Sequence, residues 1–134
     1  MNHDKIPVAE RRYMNELHEE HQTWVKELEF YKEELEIFRN RLGEVSIKNN
    51  KPEERADVEH FQNQFLREIE VIDTLRHDIN AHEKVLVEYA KDHPAAVEHT
   101  YFRDHTELTD RMQRFEELWK ELKNDFNRFL SKWM

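Results

Sequence analysis

Apolar side chains recur along this chain at alternating intervals of four and three residues. In the first segment Leu17, His21, Trp24, Leu28, Tyr31, Leu35, Phe38, Leu42 and Val45 fall on one line. A mean spacing of 3.5 keeps successive positions on a single helical face, so the line reads as the a/d seam of a long coiled-coil-like helix. Acids surround it, among them Glu19, Glu20, Glu27, Glu33, Glu34 and Glu36. Pro7 suits a first-turn position and Gly43 a position just past a helix end, which predicts a helix from about Pro7 to Leu42. Residues 44 to 51 then read as a loop, with Val45 and Ile47 folding back over the end of the bundle.

Pro52-Glu53-Glu54 is a helix-start pattern, with acids at the positive end of the dipole. The seam that follows is Val58, Phe61, Phe65, Glu68, Ile72, Leu75, Ile79, His82, Leu86 and Tyr89. Ile69, Val71 and Val85 widen it, so this second helix, about 52–92, is expected to be the most buried. Asp92-His93-Pro94 interrupts the pattern. Proline disfavours helical geometry in the residue before it and suits the start of a new helix. The chain is therefore read as reversing at Pro94, a kinked continuous helix being the competing reading. The third seam, over 94–133, is Tyr101, His105, Leu108, Met112, Phe115, Trp119, Leu122, Phe126, Phe129 and Trp133.

Three helices of similar length with short connections predict an all-α fold, an antiparallel up-down-up three-helix bundle, as one domain over 1–134. The pattern is similar to that of spectrin-type repeats in helix number, helix length and the tryptophans of the first and third helices, Trp24 and Trp119. That likeness concerns fold, and fold does not give function.

Reflecting the helices about their turns predicts which residues share a level. The layers come out as Trp24/Ile72/Phe115, Leu28/Glu68/Trp119, Tyr31/Phe65/Leu122, Leu35/Phe61/Phe126 and Phe38/Val58/Phe129. Glu68 is the odd member. It either accepts from Trp119 or Tyr31, or the helix turns so that Ile69 faces inward and Glu68 sits at the edge. The second is preferred, because a buried carboxylate is costly without full pairing. At the other end Met14/His82/His105 form one layer and His21/Leu75/Met112 another two layers away, with His18 beside them. His18, His21, His82 and His105 could hold a divalent ion such as zinc, which accepts neutral ring nitrogens. The alternative seats the histidines at the flank, hydrogen-bonded to carboxylates or to Tyr101 and Tyr89.

Composition removes much of the remaining chemistry. One glycine and no cysteine among 134 residues exclude glycine-rich phosphate loops, disulfides, thiolate metal sites and a cysteine nucleophile. No Glu-x-x-His pair and no H-E-x-x-H motif occurs. Ser46 and Ser131 have no base nearby in the layers, and the many paired carboxylates lie on solvated faces. A net charge of -9 opposes binding to nucleic acid or anionic lipid. No apolar run reaches spanning length and the N-terminus lacks a signal-peptide core, so a cytoplasmic location is expected.

Some apolar residues lie off the seams. Phe30 and Ile37 stand one heptad apart at the same outward position. They form either half of a surface for a protein partner or homodimer, or the flank of a broader core. The expectation from sequence is thus a non-enzymatic helical interaction or scaffold protein without a cofactor. The alternative is a metal- or haem-binding bundle using the histidines.

Overall fold

The computed structural model describes residues 8–48, 50–92 and 97–134, with side chains over 13–48, 50–91 and 101–134. Those residues form three helices and no strand: α1 (Val8–Lys48), α2 (Pro52–Asp92) and α3 (Val97–Trp133). The fold is an all-α three-helix bundle. No helix among the described residues is long and apolar enough to cross a membrane. Pro7 and Pro94 lie outside the described residues. The reversal that Pro94 was expected to mark is nonetheless visible in ring contacts between α2 and α3, such as His82 with Tyr101 and Phe61 with Phe126.

Helix α1 runs six residues past the predicted end. Gly43 was expected to stop it, but the 3.5-residue spacing continues to Val45, which is fully buried. Burying a valine contributes about 1.5–3 kcal/mol, against the ~1 kcal/mol that a helical glycine costs, so the seam overrides the glycine. Ile47 does not fold back over the bundle; it is 88% exposed. At the start of α2 the Arg55 amide donates to the Lys51 carbonyl at 3.0 Å, and the Arg55 guanidinium donates to Asn50 Oδ1. Glu54, read as a first-turn acid at the positive end of the helix dipole, is fully buried, and neither of its carboxylate oxygens has a hydrogen-bond partner among the described residues.

The chain divides into two compact units, Met1–Leu28 with Thr74–Met112, and Glu29–Asp73 with Gln113–Met134. Each helix contributes a segment to each. In the second unit the core is aromatic. Phe38 stacks on Trp119 at 5.8 Å and meets Phe65 and Phe126 at 6.1 and 5.0 Å between ring centroids. Phe61 packs against Phe126 and Phe129. The Trp119 indole donates to Glu34 Oε1 at 3.1 Å, and Lys123 pairs with the same oxygen. Glu68 is therefore not the acceptor of that indole, and it is not at the edge either: it is buried, with Ile69 half-buried beside it. Burial pushes its carboxyl above the usual range, while Arg67 acts the other way. Val71 and Val85 do not widen the α2 seam; both remain exposed.

These contacts correct the layers. Phe65 faces Phe38, not Tyr31, whereas the expected α2/α3 pairs Phe61/Phe126 and His82/His105 are in contact. Helix α1 is displaced by one heptad. The six extra residues place its turn later in the chain, so each α2 residue meets an α1 residue seven positions further on. A shift of seven keeps every residue on the same face, which is why the buried set agrees with the seams while the neighbours do not.

Candidate metal centre

The same displacement rearranges the first unit. Moving α1 by a heptad replaces Met14 by His21 in the layer of His82 and His105. One histidine from each helix then meets at one level. His21 Nε2 lies 3.3 Å from His105 Nδ1, which lies 3.3 Å from His82 Nε2. The three ligand atoms all lie within 4.8 Å of one another. A tetrahedral ion about 2.0–2.1 Å from each nitrogen sets its ligands about 3.3–3.4 Å apart, so two of the three separations already match a zinc coordination polyhedron.

Surrounding residues fix the rings. His82 stacks on Tyr101 at 4.0 Å and 11°, and His105 stacks on Trp24 at 5.2 Å. Met14, Leu17, Leu86 and Tyr101 form an apolar cluster, with Tyr89, Ala90 and Phe102 packed against it. These stacking and packing contacts hold the imidazoles in one orientation.

Carboxylates set the tautomers. His21 Nδ1 lies 2.9 Å from Glu83 Oε1, and His105 Nε2 lies 2.9 Å from Glu20 Oε1. A carboxylate accepts, so each of these nitrogens carries the proton. In the neutral rings His21 Nε2 and His105 Nδ1 then carry lone pairs that face each other at 3.3 Å, with the Tyr101 hydroxyl 3.5 Å from the first and His82 Nε2 3.3 Å from the second. This is the arrangement of metal-ligating histidines, whose outer N–H is held by a carboxylate. In the absence of a cation the two lone pairs have no proton between them.

The site's electrostatics disfavour supplying that proton. Burial first, then the neighbouring His21 and His105, push His82 down from 6.5 to about 4, against the opposing pull of Glu83. Burial also pushes His105 down, and His21 adds to this, while Glu20 opposes it. The Tyr101 hydroxyl is pushed up by burial and by Glu83, and so stays protonated.

His18 does not join the cluster. Its side chain is 48% exposed and its Nδ1 lies 2.5 Å from Glu83 Oε2, so Glu83 ties the two α1 histidines together. Phe30 and Ile37 lie in the other unit and are 58% and 54% exposed. The sequence reading named three of the converging residues correctly but put His21 two layers away. It missed Glu83 and Glu20, whose role depends on the corrected register. No protein-family model matches the chain, and neither a curated protein nor a solved structure matches it.

Proposed function

We propose that this protein binds one divalent transition-metal ion through His21, His82 and His105. The observation that carries this reading is the convergence of three ring nitrogens, two of their three separations at tetrahedral spacing, with the outer nitrogens of His21 and His105 committed to carboxylates. Three neutral nitrogen donors without sulfur suit zinc and its neighbours in the first transition row. Glu20 and Glu83 in the next shell balance the charge of the ion. The donors close on a point while their rings are stacked on Trp24 and Tyr101, so an ion fits where a haem would have to part both stacks.

Protein expressed without an affinity tag tests this by elemental analysis and zinc titration calorimetry. One zinc per chain is expected, with loss of binding in His82→Ala and His105→Ala and retention in His18→Ala. Circular dichroism verifies that each variant is folded. Absence of both bound metal and heat of binding in the parent overturns the proposal.

The exposure of Phe30 and Ile37 favours a second reading, in which that line on α1 meets a protein partner or a second copy. Light scattering on the parent and on a Phe30→Glu/Ile37→Glu variant tests self-association, and a monomer in both cases removes it.

A further inference from the structure

We infer that the three-histidine centre keeps a fourth coordination position for a small exogenous anion of hydroxide size, with the Tyr101 hydroxyl as that anion's hydrogen-bond donor. The inference rests on the metal reading above and adds to it what the ion would hold. It starts from a count of donors. Among the described residues the cluster comprises three ligands, one per helix, and no fourth histidine or carboxylate joins them. The nearest carboxylates are turned to the far sides of the rings, Glu83 on His21 Nδ1 and Glu20 on His105 Nε2. A tetrahedral zinc-like ion on three protein nitrogens leaves one corner for solvent or substrate, as in catalytic rather than structural sites.

Tyr101 is the second observation. Its side chain is buried, at 5% exposure, and its ring is fixed face to face on His82. The hydroxyl points into the cluster, where its contact is His21 Nε2 at 3.5 Å, the outer limit of a hydrogen bond. Once an ion engages that nitrogen's lone pair, the hydroxyl loses its acceptor. A buried O–H without an acceptor costs about 1–3 kcal/mol, and an anion on the ion's free corner restores one. Three neutral rings also place no negative charge in contact with the ion, so a monoanion is the complementary fourth donor. A groove of about 250 Å³ between α2 and α3 in the same unit has His82 in its wall, with Val85, Leu108, Asp104, Glu107 and Arg111.

Cobalt(II) is the probe, because its visible bands report coordination number and ligand exchange. The cobalt-loaded protein is titrated with azide, in parallel with Tyr101→Phe, which keeps the stacked ring and removes only the hydroxyl. The expected result is a saturable azide-dependent change in the cobalt bands of the parent. In Tyr101→Phe the azide affinity falls about tenfold, the loss of one hydrogen bond to a charged ligand, while cobalt affinity is unchanged. Cobalt bands that azide does not move overturn the open position. Weakened cobalt binding in Tyr101→Phe, with azide affinity unaltered, makes the tyrosine itself the fourth ligand and likewise overturns it. Absence of any cobalt spectrum overturns the metal reading, and this inference with it.

Discussion

Acid should destabilise the metal-free protein well above the range in which carboxylates titrate, and His82 is the reason. Its folded-state value is about 4, against 6.5 for an ordinary histidine. Between those two values the unfolded chain takes up a proton that the folded chain refuses. Stability contributed by the neutral ring is therefore complete above pH 6.5 and is lost as pH falls toward 4. A difference of this size is worth about 3 kcal/mol, a large share of the 5–15 kcal/mol typical of a domain. The groups facing His82 are His21 from α1, Glu83 from its own helix, and Tyr101 and His105 from α3, the last itself bonded to Glu20 of α1. His105 is shifted in the same direction and adds to the loss, while the two carboxylates moderate it. Glu68 works in the opposite sense. Its raised carboxyl gains a proton more readily in the folded state, so acid relieves a penalty there. Comparing the parent with His82→Leu cancels that contribution. Urea unfolding followed by circular dichroism, in chelator between pH 7 and pH 4, reads the difference. The parent should lose about 3 kcal/mol more than the variant across this window. Parallel curves would show that the ring is protonated without cost in the folded state, and the reasoning from its burial would fall.

Three further substitutions test the packing. Gly43→Ala should stabilise the chain by about 0.5–1 kcal/mol in urea unfolding, because Gly43 lies within α1 and an added Cβ meets nothing within 4 Å. Phe126→Ala removes a fully buried ring that contacts Phe38, Phe61 and Phe65, and a loss of about 3–5 kcal/mol is expected by the same measurement. Glu68→Leu should raise the thermal midpoint at pH 7, by the equivalent of about 1–2 kcal/mol, since it replaces a buried carboxylate in an apolar seam.

The faces of all three helices were legible in the sequence, because a period of 3.5 is a property of one strand of text and needs no partner. Most seam positions are buried, including Leu28, Leu35, Phe65 and Phe126 with no exposed surface. The register of α1 against the other two helices was not legible. A heptad repeat is unchanged by a shift of seven, so only the helix ends decide which levels meet, and ends are the weakest part of any sequence reading. Gly43 and the Asn-rich stretch beyond it pointed to an early stop. Val45 was the contrary sign, since it continues the four-three spacing and has a core position to fill. The histidine site inherited this error whole. With α1 ending at Leu42, Met14 faces His82; with α1 ending at Lys48, His21 does. Glu68 erred for another reason. Its seam position was right, and a general argument about cost displaced it from the core wrongly.

The histidine layer also runs against the interest of the bundle's own stability. A single polar residue in a seam can specify register, but here the seams of all three helices carry a histidine at one level, where leucine would pack without titrating. The carboxylates on His21 and His105 deepen the conflict, because they orient two lone pairs at each other without a proton between them. A bound cation resolves it. Zinc at a free concentration one hundred times its dissociation constant should stabilise the fold by about 2.7 kcal/mol, raising the thermal midpoint by about 10 °C. In His105→Leu the metal-free midpoint should rise and the response to zinc should vanish. Differential scanning calorimetry of the two proteins, each with zinc and with chelator, separates a ligand site from a layer that only sets register. A register device predicts that the parent ignores zinc and that His105→Leu loses cooperativity, and that pair of results would refute the metal reading.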